Sequence, residues 1–472
     1  MTSTAASGRA DRAIVWFRRD LRVDDNPAWA AAATTHREIV PLFVLDPQLM
    51  NAAGPFRRRQ LMADLGALDT RLQTLGGCLR VVTGDATTVV PAEAAALGAS
   101  HVFANLDVSP LARARDETVR ATLASDQVQW HPYWGGLVHA PGTVLTAAGT
   151  LSQVFAAFWR TWRLADRAGW PDNSTMQRDV ARVACLPADH LPGLDMPPPF
   201  PAGESAAHER LKAIGHIVDA YPVTRDLPAV DGTTQLSAAL RFGTVSPRHV
   251  LDVVGTHTAG REAVARQLAW RDWYAHITWQ HPDIATRALR PEYDHIHWRD
   301  DTVGFDAWRH GRTGYPIVDA GMRQLAQTGW MHNRVRMIAA SFLVKDLLID
   351  WRRGERWFRT MLVDGEVSQN AGNWQWVAGT GPDAAPYFRI FNPTLQGKKF
   401  DPEGRYVTRL VPELAHLDPR HVHEPWTSRD LFGAPDYPAR IVDHAVARAR
   451  CLDAYAAIRH APGAEPRHAR NR

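Results

Sequence analysis

The chain has 472 residues, with 54 Lys and Arg against 50 Asp and Glu, a formal net charge of +4 and a pI near 9.1. This length exceeds what one hydrophobic core usually serves, so two domains are expected, and the charge permits nucleic-acid binding without requiring it. No stretch of about 18 apolar residues and no signal-peptide core occurs, which excludes a membrane-spanning protein and predicts a soluble, cytoplasmic one.

The cysteines and histidines indicate neither a disulfide framework nor a metal site. Cys78, Cys185 and Cys451 are far apart and odd in number, which favours free thiols in a reducing compartment. The 21 His residues are scattered, and neither Cys-x-x-Cys nor His-Glu-x-x-His occurs. We therefore expect no bound metal.

The first third of the chain alternates short apolar runs with Ala-rich segments of helical character. The runs at 13–17, 39–45, 79–83, 101–104 and 128–131 predict strands of a parallel sheet flanked by helices. Asn26 and Pro27 are predicted as N-cap and first residue of a helix. No Gly-x-Gly-x-x-Gly follows the first strand, which disfavours a nicotinamide cofactor.

Between residues 134 and 203 the periodicity fades, and a proline-rich connector is predicted from Pro187, Pro192, Pro197, Pro198, Pro199 and Pro201. Beyond it the chain is predicted to be helical, with starts at Ser246-Pro247 and Tyr315-Pro316 and a stop at Gly329. The predicted organisation is an α/β Rossmann-like domain at 1–135, a linker at 136–202 and an all-α domain at 203–472. The tail after His460 is predicted to fray.

Two stretches of the helical half carry polar groups in places that suit a ligand. Thr233, Thr234 and Ser237 enter a helix whose free N–H groups could bind a diphosphate, although an ordinary N-cap is the alternative. Gln267, Trp270, Arg271 and Tyr274 follow helical spacing, so one face would carry an amide, an indole, a guanidinium and a phenol.

The stretch from 329 to 376 combines a core stripe with a polar face. One helix stripe is apolar and can be buried, and consists of Val335, Ile338, Phe342 and Ile349. Another face carries Asn333, Arg336 and Met337 and is therefore left for a ligand. Arg336 facing Asp364 or Glu366 would form a charge-assisted pair, for which a purely structural ion pair is the alternative. Trp374 and Trp376 could equally be packing residues.

These motifs are also those of a known family. They occur in order as residues 16–22 with Asp25-Asn26, 233–237, 270–274, 313–320, 329–337, 346–352 and 373–376. The chain resembles the DNA photolyase and cryptochrome family over about residues 13–420, and is most similar to class I cyclobutane pyrimidine dimer photolyases. That resemblance implies a light-driven DNA repair enzyme that splits such dimers by electron transfer from excited reduced FAD. The alternatives are a cryptochrome-like photosensor without repair activity and a flavoprotein that binds nucleic acid constitutively.

The resemblance also assigns residues. Tyr221, Thr233, Thr234, Leu236, Ser237 and Arg271 would hold the phosphates and adenosine of FAD, and Asn333, Arg336, Asp364, Glu366 and Asn370 would surround the isoalloxazine ring. Trp374, Trp351 and Trp298 would conduct electrons from the surface to the flavin. In UV-damaged DNA, the flipped-out dimer would contact Trp270, Trp376, Gln267, Asn333 and Met337, and flanking phosphates would contact Arg225, Arg334 and Arg389. A monomer is expected.

Three features qualify the resemblance. Gln267 stands where dimer photolyases usually have Glu, so slower splitting is expected. Glu366 replaces the second acid of an Asp-Gly-Asp motif, which would affect flavin redox tuning. Leu111 and Ala112 lack the polar groups that a folate antenna needs, so methenyltetrahydrofolate is disfavoured. The stretch 105–107 favours 8-hydroxy-5-deazaflavin with Asp107 as a contact, against an empty antenna pocket.

Overall fold

A computed structural model of the protein describes residues 12–167, 182–186, 189, 191, 193, 196–383, 386, 388–428 and 436–459. The chain forms two compact units that are interleaved in sequence. Unit 1 comprises Met1–Ser152, Ala156–Tyr221 and Thr234–Gln280, and unit 2 comprises Gln153–Phe155, Pro222–Thr233 and His281–Arg472. The sequence analysis predicted three segments that follow one another along the chain, with boundaries at 135 and 202. That division stays a prediction.

Unit 1 is built on a parallel sheet with the strand order β3-β2-β1-β4-β5. The strands are β1 (Arg12–Phe17), β2 (Glu38–Leu45), β3 (Arg80–Thr83), β4 (His101–Asn105) and β5 (Gln129–Tyr133). Each lies within two residues of its predicted position. The strands β1, β2 and β4 are buried on both faces, so they appear in the sequence as continuous apolar runs. A short sixth strand, β6 (Arg182–Val183), pairs with β2 and was not predicted.

Helices account for most of the remaining described chain. In unit 1 and the segments that adjoin it they are α1 (Pro27–Thr35), α2 (Pro47–Ala52), α3 (Pro55–Gln73), α4 (Ala86–Leu97), α5 (Pro110–Ser125), α6 (Phe155–Trp162), α7 (Gly203–Ala213), α8 (Gly215–Val218), α9 (Tyr221–Thr224), α10 (Ser237–Phe242), α11 (Pro247–Val254) and α12 (Ala259–Gln280). In unit 2 they are α13 (Thr302–Arg309), α14 (Pro316–Thr328), α15 (Asn333–Ser341), α16 (Trp351–Met361), α17 (Val367–Ala378), α18 (Pro393–Phe400), α19 (Arg405–Leu410) and α20 (His444–Arg459).

The predicted helix signals are confirmed by cap geometry. Asn26 accepts a hydrogen bond from Trp29 N at the start of α1, and Ser246 accepts one from His249 N at the start of α11. Gly329 ends α14 in the left-handed region with φ of 70°, where a residue without Cβ is favoured. All described residues after 203 that have regular structure are helical, as predicted.

One expectation from the cysteines was wrong. Cys78 and Cys185 form a disulfide with their Cα atoms 4.6 Å apart, and Cys451 is a buried free thiol. The two half-cystines are 107 residues apart in sequence, so nothing local indicates their pairing. The pairing of β6 with β2 brings them together, because it returns the segment 182–186 to the strand that neighbours β3.

In the part of the chain that is described, no helix is long and apolar enough to cross a membrane. No group of three His, Cys, Asp or Glu side chains among these residues could hold a metal ion. The prolines at 187 and 192, the N-terminal residues 1–8 and the tail after 460 lie outside the described residues.

Candidate functional site

The site in unit 2 begins where α14 ends and α15 starts. His332 is the N-cap of α15, and its Nδ1 accepts a hydrogen bond from Arg334 N at 3.2 Å. Burial lowers the pKa of His332 to about 4, so the imidazole is neutral near pH 7 and can act as an acceptor. This cap fixes the start of the helix that carries Asn333, Arg336 and Met337.

A pocket opens between α15, α16 and α17. One part of its lining is apolar and consists of Ala340, Phe358, Leu362, Trp374 and Val377. The other part is polar and consists of Asn333, Arg336, Asp364, Glu366, Gln369, Asn370 and Asn373, with Met337 beside them. Such a division suits a flat heterocycle with an apolar and a polar end.

Arg336 and Asp364 form a two-point ion pair at the polar side. The distances are 3.1 Å from Nη1 to Oδ1 and 2.8 Å from Nη2 to Oδ2, and the side chain of Asp364 is only 4% exposed. Arg336 Nε donates to the carbonyl oxygen of Met331 at 2.7 Å. The predicted pairing is therefore confirmed, and the guanidinium is held by the chain on either side of α15.

Asn370 is fixed by Glu355, a residue that the sequence analysis missed. The amide nitrogen of Asn370 donates to the carbonyl oxygen of Glu355 at 2.8 Å and to its carboxylate Oε1 at 2.9 Å. Both N–H groups are thereby used, and the amide oxygen of Asn370 is the group available to a ligand in the pocket. Glu355 is completely buried on α16.

Two further pocket residues were missed, Gln369 and Asn373. Asn373 is one helical turn after Asn370 on α17, and Gln369 is one turn before Asn373, so helical spacing could have found them in two steps. Nothing comparable marks Glu355, which is 15 residues from Asn370 in sequence.

The three predicted electron-transfer tryptophans are packed into hydrophobic surroundings. Trp374 meets Phe358 and Trp308 edge-on, with ring centroids 5.0 and 6.2 Å apart. Trp351 is completely buried, and half-buried Trp298 lies 6.3 Å from the ring of Tyr455. Among the described residues, the indole N–H groups of Trp351 and Trp298 have no hydrogen-bond partner.

Gln375 separates Trp374 from half-buried Trp376 and is completely buried. Its Nε2 donates to the carbonyl oxygens of Ile284 and Arg287 at 2.7 and 2.8 Å, and its Oε1 accepts from Leu289 N at 2.9 Å. The loop after residue 281 is thus attached to α17.

The predicted phosphate contacts of unit 2 differ in their surroundings. Arg334 Nη2 lies 2.8 Å from Asp226 Oδ2, and its guanidinium carbon stacks 4.5 Å above the ring of Phe400. Arg225 is half-buried and Arg389 is exposed. Asn333 and Met337, the predicted lesion contacts of α15, adjoin each other, with Asn333 Nδ2 3.7 Å from the Met337 sulfur.

The remaining predicted residues are described within unit 1, except Thr233, which is half-buried in unit 2. On α12, the rings of Trp270 and Tyr274 are 5.7 Å apart, and Gln267 is exposed with its Nε2 3.2 Å from the carbonyl oxygen of Ala263. Arg271 donates to the carbonyl oxygens of Gly136 and Leu240. The predicted helix is thus confirmed, and a common ligand face of its four side chains stays a prediction.

The start of α10 follows the prediction in outline. The helix begins at Ser237, which is exposed, whereas Leu236 and Tyr221 are buried. The carbonyl oxygen of Thr234 accepts from Arg210 Nε at 2.9 Å.

At the carboxyl ends of β1 and β4, Asp107 Oδ2 pairs with Arg19 Nη1 at 2.7 Å. Burial would raise the pKa of Asp107, but Arg19 and the hydrogen bond from Ser109 N outweigh it and hold the pKa well below its usual range. The carboxylate is therefore charged at any physiological pH. Asn105 Nδ2 donates to Asn26 Oδ1 at 2.8 Å, which ties the end of β4 to the start of α1.

An α/β unit with a parallel sheet and a helical unit with a pocket for a heterocycle define a cofactor-binding protein of mixed architecture. Residues 13–174 match the model of DNA photolyase, and residues 264–457 match that of the FAD binding domain of DNA photolyase. A deoxyribodipyrimidine photo-lyase of Agrobacterium fabrum is 38% identical over 94% of this chain and 98% of its own. The chain belongs to the DNA photolyase family.

Solved structures agree with this assignment. The crystal structure of a bacterial class III photolyase from Agrobacterium tumefaciens is 37% identical with a TM-score of 0.88, covering 97% of this chain and 100% of the other. An archaeal photolyase from Sulfolobus tokodaii with two FAD molecules is 32% identical, with a TM-score of 0.82 and coverage of 94% and 100%. A cryptochrome from Synechocystis is 28% identical, with a TM-score of 0.83 and coverage of 94% and 98%.

Proposed function

We propose that the protein is a deoxyribodipyrimidine photo-lyase that uses light to split cyclobutane pyrimidine dimers in UV-damaged DNA. The observation that carries this proposal is the pocket of unit 2, whose lining combines the fixed polar groups of Arg336, Asp364 and Asn370 with apolar side chains. FAD fits this lining, because its isoalloxazine has an apolar benzenoid end and a polar pyrimidine end. Bound reduced FAD supplies the electron which, after a blue or near-UV photon is absorbed, opens the cyclobutane ring and then returns.

The chain's own residues would bind, orient and exclude water. Arg336 would hold the polar end of the ring, with its charge balanced by Asp364, and Asn370 would present an uncharged acceptor held in place by Glu355. Glu366 and Asn333 would complete this rim. The phosphates and adenosine of FAD are assigned to Tyr221, Thr233, Thr234, Leu236, Ser237 and Arg271.

For the DNA, we assign the everted pyrimidine pair to Trp376, Asn333, Met337, Trp270 and Gln267. Aromatic and apolar side chains offset the few kcal/mol that unstacking costs. Arg225, Arg334 and Arg389 are assigned to phosphates. Trp374, Trp351 and Trp298 are assigned to reduction of oxidised flavin, since indoles can be oxidised transiently.

The decisive experiment compares light with darkness. Purified protein is chemically reduced, mixed with an oligonucleotide that contains a thymine dimer, and divided into a dark and a blue-light sample. Recovery of thymine absorbance in the illuminated sample alone is expected. If both samples stay unchanged while the protein carries FAD, the cryptochrome-like photosensor becomes the better description.

For the antenna we propose 8-hydroxy-5-deazaflavin at the carboxyl ends of β1 and β4, with Asp107 as a contact. A second flavin and methenyltetrahydrofolate are the alternatives, and chromatography of the released chromophores distinguishes all three. We also propose that the enzyme acts in the cytoplasm as a monomer, which light scattering on the purified protein tests.

A further inference from the structure

The surroundings of Arg334 contain a carboxylate to which the proposed function gives no role. Asp226 lies in the segment Pro222–Thr233 of unit 2, directly after Arg225. Its Oδ1 accepts from Arg334 Nε at 3.2 Å and its Oδ2 lies 2.8 Å from Arg334 Nη2. The carboxylate therefore forms a two-point ion pair with the guanidinium edge that carries Nε and Nη2.

The other side of Arg334 is defined by an aromatic ring that two cations share. The guanidinium carbon of Arg334 is 4.5 Å and the ammonium nitrogen of Lys399 is 5.1 Å from the ring centroid of Phe400. Phe400 is buried and Lys399 is exposed at the end of α18. Asp226 contacts one edge of Arg334 and Phe400 contacts its face, and within the described ranges no acceptor contacts Nη1. Nη1 and one Nη2 hydrogen can therefore donate to a further acceptor.

We propose that Asp226 limits the electrostatic contribution of Arg334 to DNA binding. The inference rests on the proposed function, in which Arg334 contacts a phosphate. The pair of Arg334 and Asp226 carries no net charge, and the side chains are only 18% and 31% exposed, so solvent screens the carboxylate incompletely. A phosphate that approaches the free edge of Arg334 meets the attraction of the guanidinium and the repulsion of Asp226 together.

The consequence concerns the salt dependence of binding. Each phosphate that a fully effective cation neutralises releases condensed counterions and steepens the decline of affinity with salt. A cation already neutralised by a carboxylate adds less to this slope. Asp226 would therefore make DNA binding weaker at low salt and less sensitive to ionic strength, which favours release of the phosphates after repair.

The test is the affinity of Asp226→Asn for a fluorescent duplex at several salt concentrations, with and without a thymine dimer. Asn keeps an acceptor for Arg334 but removes the charge. We expect binding about twofold to fivefold tighter at low salt and a log–log slope steeper by up to about one unit. An unchanged slope, or weaker binding, would overturn the proposal, since Asp226 would then only hold Arg334 in place.

Three controls separate the explanations. Asp226→Glu restores the charge and is expected to restore the wild-type slope. Asp300→Asn removes the same charge from exposed Asp300, which pairs with Arg353 at 3.2 Å, and should leave the slope unchanged. Light-dependent repair by the wild type is measured in parallel. It distinguishes failure of this inference from failure of the proposed function. The flavin absorbance of each variant reports whether that variant is correctly folded.

Discussion

At the scale of single residues, the pocket depends on two pairs in which one side chain fixes another. Arg336 is held by Asp364, and Asn370 is held by Glu355. The first pair could be predicted, because an Arg on a ligand-facing helix stripe invites an acid from a nearby motif. The second could not, because a buried Glu on α16 has no sequence signature of its own.

Replacing Asp364 by Asn should release flavin. Removing one partner of a fully buried ion pair leaves an uncompensated charge and costs about 3–5 kcal/mol. The cost here is at the lower end of this range, because Arg336 is 23% exposed. We expect the ratio of flavin to protein absorbance after purification to fall at least tenfold. Asp306→Asn, which opens the exposed pair with Arg309, is the matched control and should retain flavin.

Replacing Trp351 by Phe should separate two photochemical activities. Phe fills most of the buried space but is much harder to oxidise, so photoreduction of oxidised flavin should fall by more than tenfold. Repair by enzyme that has been reduced beforehand should stay near the wild-type rate. Equal loss of both activities in a flash-photolysis and repair assay would contradict the assigned electron path.

At the scale of elements, α16 and α17 pack closely at Gly354. A Cβ at this position would lie 2.2 Å from Trp374 Cη2 and 2.6 Å from Leu343 Cδ2. Only glycine therefore allows the indole of Trp374 to lie against α16 at the observed distance.

Gly354→Ala is expected to lower the free energy of unfolding by about 1–3 kcal/mol, because Trp374 must move. A shift of the flavin absorption bands should accompany it, since Trp374 lines the pocket. Gly66→Ala in α3 is the matched control. Nothing lies within 4 Å of a Cβ there, so helix propensity should leave stability unchanged or raise it by up to about 1 kcal/mol. Urea unfolding of both variants measures these changes in the free energy of unfolding.

The elements also show what sequence patterns can predict. The five principal strands, the caps at Asn26 and Ser246 and the stop at Gly329 follow from local periodicity and backbone preference. Strand β6 and the disulfide could not be predicted in this way. β6 has only two residues, and it is a strand only because it pairs with β2, which is distant in sequence. The wrong expectation of free thiols at Cys78 and Cys185 has the same origin.

At the scale of the whole molecule, buried histidines connect stability with pH. Burial lowers the pKa of His276 to about 4 from an ordinary value of 6.5. The unfolded chain therefore binds a proton between these values while the folded one does not, so His276 destabilises the protein as pH falls through this range. Buried carboxyls with raised pKa, such as Asp64 at about 7 and Asp272 at about 6, act in the opposite direction.

The contribution of His276 is isolated by comparing the wild type with His276→Gln, whose amide can still donate to the carbonyl oxygen of His139. The free energy of unfolding of the wild type, relative to the variant, should fall by about 2 kcal/mol from pH 7 to pH 5. A difference that stays constant across this range would show that His276 titrates normally in the folded protein.

The buried amide of Gln375 has a consequence for anyone who redesigns this protein. Three of its hydrogen bonds reach Ile284, Arg287 and Leu289, while the neighbours on either side are Trp374 and Trp376. Lengthening or shortening the 284–289 segment would therefore pull on a residue that stands between both indoles. Substrate preference and photochemistry could then change together, so loop grafts from relatives should carry their own version of α17 with them.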